Sequence, residues 1–480
     1  MTLIDEFLAF ETKKRLFNMQ IDGVYFWPLV RSSVNNMVFE TLHVTSVAHD
    51  KSKYQKLPFV KQAVRKAGFI WNRIWRNPMR FITKKDILVL NHPRRVLDGG
   101  FYQCLYTDMF LTEYTGSRLV LQQAYQRKHF RPNKTKNLRY TDHIDKRIAD
   151  ESREKDKQLS AMEMLLLKEL ATTINEHFQV ALDVYGLANR MAERIIRFKL
   201  YRDYFRKILR RLRPRLIIEV VYYDPICMAL NAAAKEMNIP TVELQHGTMG
   251  REHIAYNFLE KRLFPSFPDY VFLFGRFWKD ETRLPLLDER LKIVGWPYYE
   301  RKINTVKVAG TRRDSSKQTI LFISQGDIGH WLSKAAADLS GMIDEKKYNI
   351  IYKLHPGEYL RWRSEYTWLL NDKICVVCDN EHDIHHYFAI ADVQVGVYST
   401  ALFEGLGYGL GTYIWKLPKH ERVKELYGSG MATLVDSPAE FIDCLERPKK
   451  QVELQDIERF WQPDSLENML REVEGIMSDH

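Results

Sequence analysis

Short hydrophobic runs alternate with segments of helical periodicity along most of the chain, beginning near residue 86. In the first half, apolar runs rich in β-branched residues and bounded by polar or glycine-containing segments predict buried strands. They lie at 86–90, 118–121, 216–221, 239–244, 270–274 and 291–294. Strands that alternate with helices in this way predict a parallel sheet covered by helices on both faces.

The pattern restarts after a polar segment, 302–318, that has no strong period. Six further strands are predicted, separated by helices that include 359–370 and 382–391; they lie at 319–324, 349–354, 374–377, 393–397, 412–415 and 432–435. We therefore predict an α/β protein with two doubly wound, Rossmann-like domains. The domains are 1–301 and 319–460, with 302–318 as the linker and 461–480 as a carboxy-terminal helix that returns toward the first domain.

Residues before the first predicted strand are largely helical and carry the strongest charge bias. The 480-residue chain has a net charge of +11, and residues 51–85 hold eleven Lys or Arg and no Asp or Glu. Trp71, Trp75 and several aliphatic residues alternate with these bases as in an amphipathic helix at a membrane surface, which predicts an anionic membrane as partner. A solvated helix over the domain's own core explains the same pattern equally well. Nothing resembles a nucleic-acid-binding module, so we expect no nucleic-acid partner.

The overall composition, 45% hydrophobic and 28% charged, is that of a soluble globular protein. No apolar run is long enough to span a membrane, and the first residues, MTLIDEFLAFETKKR, include acids where a signal peptide has only bases. We expect a cytoplasmic protein that binds the inner face of the cell membrane through residues 51–85.

Two consecutive strands of the first domain end in polar residues. The sequence ELQHG at 243–247 places His246 and Gly247 at a strand end, and Asp224 follows the preceding strand. The carboxyl ends of parallel strands form the edge where α/β sheets bind ligands. A histidine at such a position also commonly binds loop carbonyls, so position alone does not assign it a function.

Three strand ends of the second domain carry further candidates. Gly326 lies in a Gly-x-x-Gly loop, a weak signal for a phosphate site on its own. Ser399 and Thr400 open a helix directly after a strand, where free backbone N–H groups favour a phosphate, although simple helix capping predicts the same residues. Glu404, about one turn further, could bind the two hydroxyls of a ribose.

His355 ends another strand, and Pro356 fixes the direction in which the chain leaves it. A histidine here can donate a hydrogen bond to a leaving phosphate and so supply stabilisation that a divalent cation gives in other transferases. No cluster of His, Cys and Asp has the spacing of metal ligands, so we expect no metal and no cofactor.

The order of three motifs carries a family resemblance. ELQHG, then YKLHPGE, then ADVQVGVYSTALFEGL, spanning about residues 215–420, resembles the CDP-glycerol glycerophosphotransferase and bacterial polysialyltransferase/sialyltransferase group. Val397 stands where that group often has Asp, and Thr400 replaces its second Ser. The resemblance implies the GT-B fold, with two domains facing across a cleft. It also implies a nucleotide-activated donor, a cell-surface glycan as acceptor, and donor-phosphate contacts from His355, Ser399 and Thr400.

In a GT-B enzyme of this kind the first domain holds the acceptor. His246 is then an acceptor-side catalytic residue, and Asp224 is the competing base. Gly247, His253 and Tyr256 are expected to shape the acceptor site, while Gly326, Pro356 and Glu404 line the donor site. The acidic motif of polysialyltransferases is not recognisable, so the general base stays unassigned between His246 and Asp224.

The function predicted is a metal-independent, inverting glycosyltransferase that moves a sugar, of sialic-acid, Kdo or another type, to a glycan or lipid-linked acceptor of the bacterial surface. That acceptor is a capsule, a lipopolysaccharide or a teichoic-acid-like polymer. A non-hydrolysing nucleotide-sugar 2-epimerase and a non-catalytic scaffold of polysaccharide assembly are the alternatives. The sequence does not name the donor sugar, its nucleotide base or the linkage.

Overall fold

The computed structural model describes residues 2–42, 59–80, 82–125, 128–309, 316–379, 381–447 and 453–480. Within them, the strands of one parallel sheet lie between residues 87 and 293, and those of a second lie between 318 and 435. This arrangement confirms the predicted fold class of two Rossmann-like α/β domains, the GT-B architecture.

The first sheet consists of short apolar strands that are largely buried on both faces, as parallel strands covered by helices must be. Two small hairpins lie outside it, β1 (Gln20–Ile21) with β2 (Val24–Tyr25), and β4 (Val96–Asp98) with β5 (Phe101–Gln103). The strands of the sheet are β3 (Ile87–Asn91), β6 (Arg118–Gln122), β7 (Arg139–Tyr140), β8 (Leu216–Val220), β9 (Thr241–Leu244), β10 (Tyr270–Leu273) and β11 (Leu291–Ile293). Their order is β11-β10-β9-β8-β3-β6-β7, and every pair is parallel. The two-residue edge strand β7 was not predicted.

The helices of the first domain cover both faces of its sheet and add an amino-terminal layer. α1 and α6 begin with reciprocal capping boxes, Thr2 with Asp5 and Ser160 with Glu163. The helices are α1 (Leu3–Lys13), α2 (Trp27–Leu42), α3 (Phe59–Trp75), α4 (Asp108–Glu113), α5 (Asp142–Glu151), α6 (Ala161–Phe178), α7 (Val184–Leu212), α8 (Pro225–Lys235), α9 (Arg276–Glu281) and α10 (Pro297–Ala309).

The second sheet has the six strands predicted for it, in the order β14-β13-β12-β15-β16-β17. They are β12 (Gln318–Ile323), β13 (Tyr348–Lys353), β14 (Ile374–Val377), β15 (Val393–Gly396), β16 (Gly411–Trp415) and β17 (Thr433–Val435). The helices are α11 (Gly329–Ser340), α12 (Trp362–Glu365), α13 (Ile384–Ile390), α14 (Ala401–Leu406), α15 (Lys424–Gly428) and α16 (Pro438–Leu445), followed by α17 (Leu454–Phe460) and α18 (Ser465–Asp479).

Two predicted segments differ from the structure. The first half of 302–318, which the sequence pattern leaves without an element, continues helix α10 to Ala309. Tyr298, Tyr299 and Ile303 are buried, so packing against the rest of the molecule holds this helix despite its weak periodicity. The predicted helix 359–370 is two short pieces, α12 and a 3₁₀ turn, because Tyr366 leaves the helical conformation between them. Residues 51–58 of the basic segment lie outside the described residues.

The carboxy-terminal segment crosses back over the first domain. Gly295 has a positive φ of 87°, and a Cβ added there would lie 2.2 Å from the Gln462 carbonyl oxygen, so this crossing requires glycine. Beyond it, Arg215 Nη2 donates to the Met477 carbonyl at 2.6 Å, and Lys292 Nζ lies 3.1 Å from Glu472 Oε2. Helix α18 therefore joins the first domain, although it follows the second along the chain.

Candidate active site

The strand order of each sheet reverses at one point, and ligands of α/β sheets bind outside the carboxyl ends of the strands there. In the first sheet the reversal lies between β3 and β8, whose ends lead to His92 and Asp224. In the second it lies between β12 and β15, whose ends lead to Gly326 and Ser399. The predicted candidates Asp224, Gly326 and Ser399 therefore follow strands that flank these reversals.

His246 lies in a cluster of aromatic side chains just past the end of β9. Tyr223 Oη is 3.2 Å from its Nε2, and Tyr256 Oη is 3.4 Å from its Nδ1. The ring of His253 lies 5.6 Å from that of Tyr223 and 5.0 Å from that of Tyr256, measured between centroids. The structure thus brings together three predicted residues, His246, His253 and Tyr256, and adds Tyr223.

Glu243 ties this cluster to the core of the sheet. Its Oε1 accepts a hydrogen bond from the Tyr256 hydroxyl at 2.6 Å and one from the Tyr222 backbone N–H at 3.0 Å. Because Tyr256 donates to Glu243, its oxygen is left to accept from Nδ1–H of His246, and Nε2 of His246 is then the acceptor atom. Burial raises the pKa of Glu243 to about 8 and holds the pKa of His246 well below its usual value. Both groups are mainly neutral near pH 7.

Tyr106 and His92, which sequence reasoning did not single out, complete the surroundings of His246. The Tyr106 hydroxyl donates to the His246 carbonyl at 2.8 Å, and its ring stacks on Trp296 at 5.7 Å. The ring of His92 stacks on that of His246 at 6.2 Å. Burial and the nearby Arg94 and Arg95 lower the pKa of His92 to about 3. These contacts hold the His246 ring in one orientation.

On the second domain, His355 occupies a loop that Glu358 holds in place. The buried Glu358 carboxylate accepts hydrogen bonds from the His355 N–H at 2.7 Å, from Tyr366 Oη at 2.8 Å and from Ser324 Oγ at 3.1 Å. The Gly357 N–H donates to His355 Nδ1 at 3.1 Å. Since Nδ1 accepts, the neutral ring carries its proton on Nε2, and that N–H is the group the loop offers to a ligand. His355 itself is exposed.

The loops of the two domains approach each other closely at Thr400. Thr400 precedes α14, and its Oγ1 accepts a hydrogen bond from the Thr248 N–H of the first domain at 3.0 Å. A Cβ added at Gly247 would lie only 3.7 Å from the same oxygen. Ser399 Oγ accepts from the Ala401 N–H at 3.2 Å, which is the capping contact expected at a helix start. At Gly326, an added Cβ would lie 3.9 Å from His355 Nδ1, so its loop adjoins that of His355.

Glu404 is buried below these loops, in contact with a histidine. His385 Nε2 lies 3.6 Å from its Oε2, and the Tyr299 hydroxyl donates to its backbone carbonyl at 3.1 Å. Burial raises the pKa of Glu404 to about 8 and lowers that of His385 to about 4. At pH 7 the Glu404 side chain is therefore largely a neutral acid, which can both donate and accept a hydrogen bond.

The charge of Arg94, a residue of the first domain, affects two side chains of the second domain. It lies in the loop after β3, is exposed, and its backbone N–H donates to His92 Nδ1 at 3.2 Å. Burial lowers the pKa of His355, and the charge of Arg94 lowers it further. The same charge acts against the burial that raises the pKa of Glu404. A positive charge from the first domain therefore acts on both sides of the second-domain site.

Asp224 lies apart from His246, although it follows the adjacent strand. It caps α8 by accepting from the Ile226 N–H at 2.9 Å, and Gln123 Nε2 lies 3.5 Å from its Oδ1. Burial raises its pKa, and its hydrogen bonds and the charges of Arg194 and Arg197 of α7 oppose that shift. The two candidate bases thus have separate surroundings, with Tyr223 between them.

A sequence signal for His92 and Arg94 exists. The chain after β3 reads NHPRR and that after β13 reads KLHPGE, so a His-Pro pair ends one strand in each sheet. Tyr106 and His385 have no such signal, because they reach the site from the turn before α4 and from helix α13, which only the tertiary structure brings close.

Among the described residues, no group of three or more His, Cys, Asp or Glu side chains is arranged to hold a metal ion. No helix in the described parts of the chain has the length and apolar character needed to cross a membrane.

No family model matches the sequence, and no curated protein matches it. Similar solved structures include a UDP-GlcNAc 2-epimerase from Methanocaldococcus jannaschii, at 11% identity and a TM-score of 0.47 over 81% of this chain and 99% of that one. The UDP-GlcNAc 2-epimerase from Neisseria meningitidis has 10% identity and a TM-score of 0.47 over 82% of this chain and 99% of that one. The wall teichoic acid polymerase TagF has 13% identity and a TM-score of 0.44 over 88% of this chain and 98% of that one. Likeness at this level says nothing of substrate, so the function has to be inferred from the residues of the cleft.

Proposed function

We propose that this chain is a metal-independent, inverting GT-B glycosyltransferase that moves a sugar from a nucleotide-activated donor to a glycan of the bacterial cell surface. The observation that carries the proposal is the approach of two strand-end loops, where the Thr248 N–H donates to Thr400 Oγ1 at 3.0 Å. One loop holds a largely buried, neutral histidine and the other an exposed histidine. A cleft with a proton acceptor on one wall and hydrogen-bond donors on the other suits displacement of a phosphate by a hydroxyl.

On the donor side, His355 Nε2–H donates to the phosphate as its bond to the anomeric carbon breaks. Ser399 and Thr400 present hydroxyls and backbone N–H groups to the same phosphate, and Gly326 and Pro356 shape the loop that receives it. The charge of Arg94 stabilises the leaving anion in the place of a metal ion. Neutral Glu404 exchanges hydrogen bonds with the ribose hydroxyls. The donor is of sialic-acid, Kdo or another type, with a cytidine nucleotide as the first to be tested.

On the acceptor side, His246 takes the proton from the attacking hydroxyl at Nε2. Its Nδ1–H is oriented by Tyr256, which is in turn held by Glu243. The Tyr256 hydroxyl, which accepts from Nδ1–H, can stabilise the positive charge that His246 gains. Gly247 lies next to Thr400 in the acceptor-side loop, and the His253 ring packs against that of Tyr256.

A thermal-shift panel tests the donor assignment, because a ligand that binds only the folded protein raises its melting temperature. CMP, CDP, UDP, GDP and their sugar or glycerol derivatives should be compared with and without EDTA. We expect a shift with one nucleotide series that is unchanged by EDTA and reduced in His355→Ala. His382→Ala is the matched control, since this exposed histidine stacks on His386. No shift with any nucleotide would overturn the transferase and favour a scaffold.

We also propose that α3 holds the protein to an anionic membrane on the cytoplasmic side, close to lipid-linked acceptors. The exposed fractions of Trp71 and Trp75 are 58% and 52%, and Ile70 and Ile74 on the same helix are also exposed. Arg73 and Arg80 line a groove beside them, together with Lys146 and Arg147, which pair with Asp150 and Glu151. Tryptophan at the surface beside basic side chains is typical of helices that lie in a membrane interface.

A double substitution, Trp71→Ser with Trp75→Ser, tests this assignment without removing the helix. Binding to vesicles with phosphatidylglycerol should fall by about tenfold or more, since each tryptophan that enters the membrane interface contributes to the affinity. Leu360→Ser, at a residue of the second domain that is 90% exposed, is the control. Unchanged vesicle binding by the double variant would make α3 a solvated helix.

A further inference from the structure

A cavity of about 340 Å³ opens in the first domain at the amino ends of three parallel strands, β3, β6 and β7. Its volume lies within the range of small-molecule sites. The segment between α3 and β3, the first residues of β6 and β7 and the last residue of α7 line it. His246 follows the carboxyl end of β9, so this cavity lies at the opposite edge of the sheet from the proposed catalytic residues. We refer to it as the basic cavity.

Four cationic side chains line the basic cavity, Arg80, Lys85, Arg118 and Arg139, and no Asp or Glu of the described residues lines it. Asp86, next to Lys85 in the chain, lies outside the lining. Its Oδ2 accepts hydrogen bonds from the Ser117 N–H at 2.6 Å and from the Ser117 hydroxyl at 2.7 Å. One carboxylate that is bound elsewhere does not balance four cations, so the cavity is electropositive.

Two of these cations lack a partner. The side chains of Lys85 and Arg139 form no hydrogen bond or ion pair with any described residue, and both are partly buried. Burial and the charge of Arg76 lower the pKa of Arg139. A partly desolvated cation without a counter-ion is unfavourable, so an anion in the cavity would stabilise the folded protein.

Arg80 connects the basic cavity with the exposed face of α3. Its Nη1 donates to the Ile74 carbonyl at 3.1 Å, and its guanidinium carbon lies 5.1 Å from the centre of the Trp75 ring. The backbone joins the same two regions, because the Tyr140 N–H donates to the Arg76 carbonyl at 2.9 Å. A membrane that takes up Trp75 would therefore lie next to the cavity.

We propose that the basic cavity binds the terminal phosphate of an anionic membrane lipid, a proposal that rests on the membrane placement proposed for α3. Guanidinium groups bind phosphate oxygens through paired N–H donors, and an ammonium group adds a point charge. Four cations without a lining carboxylate favour a phosphate monoester, which carries up to two charges, over a carboxylate or a diester, which carry one. Pro78, Ile82 and Leu119 give the cavity an apolar wall for the stem of the lipid.

The bound lipid would anchor the enzyme and would not be its acceptor. The basic cavity lies at the amino edge of the sheet, whereas His246 and the cleft lie at the carboxyl edge. Occupation of the cavity should therefore change where the protein resides without changing the nucleotide that it binds.

Sedimentation of the full chain with phosphatidylcholine vesicles that contain phosphatidic acid tests the site. Vesicles with oleate at equal surface charge measure attraction by charge alone. We expect about tenfold tighter binding to the phosphatidic acid vesicles. Lys85→Gln should remove this preference, because a charge-assisted contact is lost. Lys84→Gln removes the same charge at an exposed neighbour that does not line the cavity, and this matched control should keep the preference.

Equal binding of the native chain to both kinds of vesicle, or an equal loss in Lys84→Gln and Lys85→Gln, would overturn the site. Arg139→Gln carries the same test at the second unpaired side chain if Lys85→Gln lowers the melting temperature. Calorimetric titration with inorganic phosphate distinguishes the source of the phosphate. Binding of inorganic phosphate as tight as that of soluble dihexanoyl phosphatidic acid would overturn the lipid as ligand.

The Trp71→Ser, Trp75→Ser double variant separates the failure of this proposal from the failure of that for α3. It should bind both kinds of vesicle more weakly and should still bind soluble dihexanoyl phosphatidic acid as the native chain does. Saturable binding of this soluble lipid that Lys85→Gln loses supports the basic cavity even where α3 does not bind vesicles. Absence of such binding overturns the cavity and leaves the assignments of α3 and of the nucleotide site to their own tests.

Discussion

His246 and His355 each follow a parallel strand, and each has a glutamate three positions away in the chain, Glu243 before the first and Glu358 after the second. Their surroundings differ. His246 is largely buried, and its ring nitrogens contact the hydroxyls of Tyr223 and Tyr256. His355 is exposed, and its Nδ1 accepts from a backbone N–H of its own loop.

Glu243 and Glu358 also differ in how many of their oxygens are hydrogen-bonded. All three groups that Glu358 binds are donors, so its carboxylate is fully used to shape the loop. Glu243 has one oxygen with two donors, while Oε2 has no hydrogen-bond partner among the described residues. A buried acid with a spare oxygen is suited to respond when a neighbouring histidine gains a proton, and a fully bound one is suited to hold a loop still. The difference supports the proposed roles, proton transfer at the first site and phosphate contact at the second.

The largest effect should come from His246→Ala. Losing a general base typically costs about 10²- to 10⁴-fold in rate, so turnover should fall by about 10³-fold while nucleotide binding stays nearly intact. Steady-state kinetics measures the loss of turnover, and a thermal-shift assay measures nucleotide binding. Loss of nucleotide binding in this variant would move His246 to the donor side.

His355→Ala should lower turnover by about 10²-fold, as removal of one donor to a developing charge does, and should also weaken nucleotide binding. A His355→Gln variant, whose side-chain N–H₂ can still donate, should recover part of the rate. Equal loss in both variants would mean that the ring serves only to hold the loop.

Asp224→Asn separates the two candidate bases. Because Asn also caps helices well, α8 should stay intact. Asp224 lines a cavity beside Arg194 and Arg197 of α7 and does not contact His246. We expect kcat to change by less than about threefold, because Asp224 caps α8 and does not contact His246. A fall in kcat as deep as that of His246→Ala would make Asp224 the base.

The pH dependence of stability tests the buried acids. Burial raises the pKa of Glu243 and of Glu404 to about 8, so between the unfolded pKa and that value only the folded state keeps the protons. The free energy of unfolding should therefore fall as pH rises, by about 1.4 kcal/mol per pH unit for each group. Near pH 6.5 the histidines whose folded pKa is lowered oppose this slope, because they bind protons only in the unfolded state. They do so equally in the native chain and in Glu404→Gln, so between about pH 7 and 8 the melting curves of Glu404→Gln should show a shallower decline than those of the native chain. Glu467→Gln, at an exposed carboxylate, should leave the slope unchanged.

The smallest effect is expected from Thr400→Val, which keeps the shape of the side chain and removes the acceptor for the Thr248 N–H. One neutral hydrogen bond contributes about 1 kcal/mol, so donor affinity should fall by a few-fold. Titration with the nucleotide found in the panel measures it, and Ser399→Ala, whose hydroxyl caps α14, is the comparison. A loss of 10²-fold would mean that this contact closes the two domains.

Much of the fold could be predicted because its signal is local. Twelve strands of the two sheets were predicted as buried apolar runs, and His246, His355, Ser399 and Thr400 were identified because they directly follow such runs. The missed elements depend on distant contacts. β7 has two residues paired at a sheet edge, and α10 extends into the polar segment because its tyrosines are buried against both domains.

The sequence by itself determined the order of strands and helices, the two domains and which residues stand at strand ends, since each of these follows from patterns a few residues long. Only the tertiary structure decided that Tyr106, Tyr223 and Glu243 surround His246 and that Arg94 of the first domain acts on His355 and Glu404 of the second. It also decided that Asp224 lies beside arginines of α7. Hydrogen-bond partners, burial and the resulting pKa shifts depend on side chains that are tens or hundreds of residues apart in the chain. No local pattern of apolar and polar residues specifies them.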